Sequence, residues 1–310
     1  MKKFLVFSVL ATFLGTLSHP AFAQEGPTAA PQPSKHPKAG GAITAPFGPA
    51  GTGFPSRAFS AVINYRYMTT DGVRFENNKI NDNVELTKHI GLAKFRYGIM
   101  PGLDVRTSTP FYNIERKNRV SGAEDDMGWV GDTALIFHKV LLDQTKGDAL
   151  HFALDVGVSL PTASVDDDSN DFLGNQAWGG IVGLGLTYFT TNGHRFDQEI
   201  NYATFTEGRR DYRKPDRFRS NTGWAYAINT MFDVGLESNL EWNGESERDG
   251  KDMGDSKWEW YAGPKAVFKY TPLKLTAGVA ATFPVYRWYE ANTPSDDFRI
   301  EFKLVKLFTW

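Results

Sequence analysis

A chain of 310 residues with 23% charged residues and a mean hydropathy of -0.38 is too polar for a bundle of membrane helices, each of which needs about 20 consecutive apolar residues. A net charge of -2 argues against a nucleic-acid partner. The absence of cysteine removes disulfide frameworks, thiolate metal sites and cysteine nucleophiles together. Aromatic residues reach 14% and glycines number 30, more glycine than a helical protein has use for.

The chain starts with Lys2 and Lys3, a short apolar run from Phe4 to Leu17, and Ala21-Phe22-Ala23 before Gln24. A basic start, an apolar middle and a small-x-small end make residues 1–23 an expected secretory signal peptide. Residues 24–57 are rich in Pro, Gly and Ala and lack periodicity. They read as a linker, or as a segment folded into a lumen as a plug, with Gly48, Gly51 and Gly53 allowing a tight path.

From Ala58 the pattern changes to period two. Phe59, Ala61, Ile63, Tyr65 and Tyr67 fall on one face, with Ser60, Asn64 and Arg66 on the other. Ala93, Phe95, Tyr97 and Ile99 likewise oppose Lys94 and Arg96, and Leu103, Val105 and Thr107 oppose Asp104 and Arg106. An apolar face alternating with a charged one is a strand signature. Twelve strands are predicted, near 58–69, 85–99, 102–114, 127–141, 148–161, 176–190, 194–206, 218–229, 232–243, 256–270, 273–287 and 297–310. Connections alternate between short turns and long polar loops, the latter near 70–84, 115–126, 162–175, 207–217, 244–255 and 288–296. The expected fold is an all-β transmembrane antiparallel up-and-down β-barrel of about 12 strands over residues 58–310, in the outer membrane of a Gram-negative bacterium.

Trp129, Trp178, Trp242, Trp258, Trp260 and Trp288 all fall beside long loops, as a lipid–water girdle requires. Trp224 falls inside a strand and Trp310 at the opposite end. Ile300, Phe302, Leu304, Phe308 and Trp310 resemble the C-terminal signal that barrel assembly machinery reads, although Lys306 interrupts the apolar row. Expected partners are therefore outer-membrane lipid and lipopolysaccharide, the assembly machinery and a small-molecule solute.

Two regions carry a family resemblance. Tyr97-Gly98 through Leu103-Asp104-Val105, closing on Thr109-Pro110-Phe111, is one. Gly131-Asp132-Thr133-Ala134-Leu135, followed by the strand ending Ser159-Leu160-Pro161-Thr162, is the other. Together they resemble the "MetA-pathway of phenol degradation" family of transporter-like outer-membrane barrels. The resemblance implies a channel for small, often aromatic or hydrophobic compounds.

If the apolar face meets lipid, the other face lines a lumen. Candidates for lumen or selectivity residues are Lys94, Arg96, Asp104, Arg106, Asp132, His138, His151, Asp155, Glu199, Glu237, Glu241 and Lys265, with Asp233, Lys274, Arg299, Glu301 and Lys303 at the same parity. A basic wall facing an acidic wall would select polar solutes. The same residues would also serve as an ion-pair network that fills the barrel. His138, His151 and Asp155 could meet at a metal, though no ligand motif supports it.

The loop Asp166-Asp167-Asp168-Ser169-Asn170-Asp171 departs from the outer-membrane phospholipase pattern, in which a histidine activates the serine. Asp167 stands at the histidine's place, so Ser169 lacks a base. The acidic loop could instead take calcium, or be solvated. Arg209, Arg210, Arg213, Lys214 and Arg217 form a basic loop that could meet anionic lipid or solute. No cofactor motif or enzymatic signature is found, so a non-enzyme is expected. The expected function is passive uptake of small solutes. The alternative is a structural or surface-interaction barrel acting through its long loops.

Overall fold

The computed structural model describes residues 38–45, 50–164 and 176–309. The expected signal peptide, the Ser169 loop and Trp310 lie outside the described residues. Strands run in chain order β1 (Phe59–Phe75), β2 (Asn78–Met100), β3 (Leu103–Asn118), β4 (Glu124–Val130), β5 (Thr133–Leu142), β6 (His151–Leu160), β7 (Gly179–Phe189) and β8 (His194–Phe205). They continue as β9 (Tyr212–Arg213), β10 (Arg217–Ala227), β11 (Phe232–Asn243), β12 (Glu247–Arg248), β13 (Lys251–Asp252), β14 (Lys257–Tyr270), β15 (Leu275–Tyr289) and β16 (Thr293–Phe308).

Each wall strand pairs antiparallel with its sequence neighbours, and β1 pairs with β16, so the sheet closes on itself. The wall has 12 strand positions, because β4 and β5 share the fourth. The lower half of β3 pairs with β5 (Leu103↔Lys139) and its upper half with β4 (Lys117↔Glu124). The break falls at Gly131, where a Cβ would stand 2.7 Å from Pro110 Cγ. Closure removes the exposed edges that make open sheets aggregate.

The two faces separate as the period-two pattern requires. Ile63 is 62% exposed and its neighbour Asn64 is 0%; Val156 is 50% exposed and Asp155 is 1%. An outer face this apolar has lipid as its solvent. Around the long-loop rim, Phe218, Trp242, Trp258 and Trp288 stand in one cross-strand row. A second aromatic belt circles the short-turn rim, with Phe59 stacked on Phe95 at 5.7 Å and Phe232 beside Phe268 at 5.2 Å. Trp224 belongs to this lower belt, where it stacks on His194. It is therefore a girdle residue and not an isolated one.

Three segments expected as long loops are wall instead. Residues 70–84 continue β1 and β2 to a tight turn at Glu76-Asn77, residues 115–126 carry the tops of β3 and β4, and residues 288–296 carry those of β15 and β16. Above the bilayer both faces of a hairpin meet water, so alternation disappears from the sequence while backbone pairing persists. Loops 206–216 and 244–256 are joined through a small three-stranded sheet of β9, β12 and β13.

Candidate lumen site

The inward face is almost wholly polar. Lys94, Arg96, Asp104, Arg106, His138, His151, Asp155, Glu199, Asp233, Glu237, Lys265, Arg299 and Glu301 are all buried. Glu241 is partly buried and pairs with Arg299 at 3.5 Å. Lys274 departs from this group. It sits exposed in the turn between β14 and β15, with a left-handed backbone, and bonds Thr309 Oγ1. Asp132 lies at the break between β4 and β5, where it pairs with Lys214 of the basic loop and accepts from Ala163 N.

Opposite charges meet as neighbours along the wall, the arrangement of an ion-pair network. Asp104 sits between Arg96 at 2.6 Å and Arg106 at 2.9 Å. Asp197 pairs with Arg195, and Asp233 with Lys269. Near the upper rim, Arg299 contacts Glu259 and Asp296, and its guanidinium lies 3.6 Å from the centre of the Tyr261 ring. Buried charges are tolerated only when so compensated, since an unpaired one costs several kcal/mol. Arg195, Asp197, Glu259 and Asp296 were absent from the sequence candidates. Parity along β8 and β14 identifies the first three. Asp296 lies in 288–296, expected as a loop, where no alternation marks it.

His138, His151 and Asp155 do not meet at one point. His138 Nδ1 bonds Asp155 Oδ1 at 2.7 Å, but His151 turns away, 3.3 Å from Asp143 in the turn below. Among the described residues no group of three or more His, Asp or Glu is placed to hold a metal.

Residues 38–45 and 50–58 run inside this polar face, touching it from several sides. Asp233 Oδ2 accepts from Gly40 N at 2.7 Å. Glu237 accepts from Ile43 N at 2.5 Å, from Thr44 N at 2.9 Å and from Thr44 Oγ1 at 2.5 Å. Cations grip the carbonyls of the same segments. Lys303 donates to Ala42 O at 2.8 Å, Lys269 to Lys38 O at 2.9 Å, Arg96 to Thr52 O at 3.0 Å and Lys94 to Ala45 O at 3.3 Å. Phe54 lies under the Arg96 guanidinium at 4.6 Å. A chain with no regular structure has a full set of backbone donors and acceptors to satisfy, and a charged wall supplies them.

Glycines on the wall permit the approach. A Cβ on Gly185 would stand 2.0 Å from Ala50 O, and one on Gly98 would stand 2.0 Å from Pro55 O. Gly51 in turn passes so close that its Cβ would lie 2.5 Å from His151 O.

Further polar atoms of the inward face are met neither by these segments nor by the wall. His138 Nε2, Asp155 Oδ2, Glu199 Oε2, Asn201 Oδ1 and Asn221 Nδ2 are buried atoms with no hydrogen-bond partner among the described residues. They lie on β5, β6, β8 and β10, in adjoining register.

At the loop rim, burial pushes the Asp216 carboxyl up, but hydrogen bonds from Tyr202 (2.6 Å) and Thr204 (2.7 Å) and the Arg213 charge outweigh it and hold the group below the usual carboxylate range. Burial lowers Lys214, and its bond to Asp132 opposes this incompletely. The basic loop is thus partly consumed by internal pairs: Arg213 meets Asp216 and Glu247, and Lys214 meets Asp132.

A closed 12-position antiparallel barrel with a lipid-type outer face, two aromatic belts and a charged interior defines an outer-membrane β-barrel. The family model described as "Putative MetA-pathway of phenol degradation" matches residues 50–295, and the chain belongs to that family. Among solved structures, the COG4313 outer membrane channel from Pseudomonas putida F1 is similar, with 17% sequence identity and a TM-score of 0.70, covering 83% of this chain and 98% of that one. The transport unit of the autotransporter AIDA-I from Escherichia coli is similar at 10% identity and a TM-score of 0.49, over 83% of this chain and 91% of that one. Both are likenesses of fold. No curated protein sequence matches the chain.

Proposed function

We propose that this protein is an outer-membrane channel for small polar solutes, with residues 38–45 and 50–58 as a plug that narrows the lumen. The observation that carries this reading is the strip of partnerless polar atoms from His138 to Asn221. Buried polar atoms need partners, and where protein supplies none, water or a passing solute must. Water or solute drawn to this cross-strand row would sit inside the lumen beside the plug. The fold supports the reading too, since short turns and both ends of the described chain lie at one rim.

The charged lining favours polar and ionic solutes over bare hydrocarbons, because an apolar solute would leave these groups unpaired as it passed. The phenol-degradation family supports aromatic solutes, and an aromatic ring carrying a charged or hydroxyl group satisfies both. The barrel would then insert through its C-terminal strand, and its belts would meet lipid and lipopolysaccharide.

A second reading is a sealed structural barrel, favoured by the dense ion pairs around Arg299 and by the loop sheet of β9, β12 and β13. Single-channel recording in planar bilayers separates the two. The refolded mature chain is expected to give small, steady currents, and deletion of residues 38–57 is expected to enlarge them. Folded protein that passes no current in either form overturns the channel.

A further inference from the structure

A cavity of about 550 Å³ lies between the inner segments and the wall, reaching the short-turn end beside Pro55, Thr271 and Leu307. Its charged lining has one sign. Lys94, Arg96, Arg106, Arg195, Lys269 and Lys303 face it, with Lys274 at the turn, and none of its lining residues is Asp or Glu.

These cations are not equivalent. Arg96 and Arg106 share Asp104, Arg195 has Asp197 and Lys269 has Asp233. Lys94 and Lys303 make no ion pair among the described residues. Each has instead one bond to a neutral carbonyl, Ala45 O for Lys94 and Ala42 O for Lys303. The acids nearby are engaged or turned elsewhere. Glu301 spends one oxygen on Asn64 (2.7 Å) and the other on Arg66 (2.8 Å), and Glu199 does not line the cavity. The two lysines stand on β2 and β16, on either side of β1, facing Val62 and Asn64 in the register.

Each ammonium's direct acceptor is thus a neutral carbonyl, with Glu199 and Glu301, and for Lys303 also Glu237, acting on it only at longer range, and that leaves a buried charge under-compensated. A carboxylate bonds it about twice as strongly as a neutral acceptor does. An anion entering the cavity would therefore compete directly with the plug for its own anchors.

We propose that this cavity is a binding site for small organic carboxylates, and that a bound carboxylate takes Lys94 and Lys303 from the carbonyls of Ala45 and Ala42 and loosens the plug. The inference rests on the channel reading for its physiological sense, but the site stands on its own geometry. The solute would then open its own path, and the channel would prefer anions.

The test uses the full mature chain, whose lack of native cysteine makes a single engineered thiol an unambiguous reporter. Ala45→Cys places that thiol at a position 1% exposed. Its reaction with a water-soluble maleimide is followed in sodium benzoate, sodium acetate and sodium chloride at equal ionic strength. Benzoate or acetate is expected to raise the labelling rate ~5-fold or more over chloride, the size expected when a charged ligand replaces a neutral contact. Adding Lys94→Met and Lys303→Met to the reporter is expected to abolish the dependence. In bilayers the parent is expected to pass anions ~3-fold or more over cations, and the lysine variants less.

Labelling indifferent to carboxylate overturns the proposal, and so does cation selectivity. If the double variant does not fold, the parent titration still decides. Carboxylate-dependent labelling without any current keeps the site and overturns the channel instead.

Discussion

Glu237 is the acidic anchor of the plug, and replacing it by glutamine should release the plug while leaving the barrel closed. Its carboxylate receives three bonds from Ile43 and Thr44 and lies 3.2 Å from Lys265 Nζ. Bonds to a charged acceptor contribute about 1.5–3 kcal/mol each, and neutral ones about 0.5–1.5 kcal/mol. Glutamine keeps one acceptor oxygen and turns an NH2 group toward whichever donors faced the other. The expected loss is about 2–4 kcal/mol of docking free energy, or roughly a 30- to 700-fold shift toward the undocked segment at 1.4 kcal/mol per decade. The change also strands Lys265, so Glu237→Gln/Lys265→Met serves as a companion that removes the unpaired ammonium. Both are read by maleimide labelling of Ala45→Cys and by single-channel current, with heat-modifiable mobility on gels reporting barrel closure. Faster labelling and larger currents from closed barrels are expected in both variants. If a closed Glu237→Gln barrel labels at the parental rate, the carboxylate is not what holds the segment, and the anchoring argument fails.

Gly185→Val tests the seating of the inner segment at a second contact, with Ala50. Its Cβ would stand 2.0 Å from Ala50 O, so the plug must shift, at a cost typical of overpacking (about 1–3 kcal/mol), and current should rise without loss of closure. Val156→Arg puts a charge on the lipid face and should destabilise the barrel by about 2–4 kcal/mol in urea titrations from lipid, if this position is near the midplane; an unchanged midpoint would mean that face does not meet hydrocarbon. Asp216 is held below its usual range when folded, so it stabilises the loop rim above the unfolded carboxylate value of about 3.9 and loses that contribution as pH falls through the lower folded value. Asp216→Asn should accordingly lower the unfolding midpoint at pH 7, with the gap to the parent closing below about pH 4. A gap that persists at pH 2 would place the effect in packing and not in charge.

The barrel was legible because a wall between lipid and a polar lumen forces alternation at every residue. Ile63 and Asn64, or Phe137 and His138, declare their faces without any tertiary information. Where one solvent bathes both faces, that signal stops, so the tops of β1, β2, β15 and β16 read as loop. The lower aromatic belt was missed for a different reason. Most Trp marked the upper rim, while the lower sets Trp224 among Phe, Tyr and His194, aromatic residues that strands favour anywhere.

Parity identifies which side chains face inward but is silent about which of them meet. Lys94, Arg96 and Arg106 look alike in sequence, three cations at the same parity on β2 and β3. The structure gives Arg96 and Arg106 a common carboxylate and leaves Lys94 with a carbonyl. That difference comes from the inner segment, whose composition carries no periodic signal. Its backbone groups, more than its side chains, make the contacts with Glu237, Asp233, Lys94 and Lys303. A wall that reads backbone tolerates a low-complexity sequence, provided its glycines pass where the wall is closest. The charges therefore bind a segment of the chain's own backbone, and under the carboxylate proposal they would also be open to a solute that offers them a better partner.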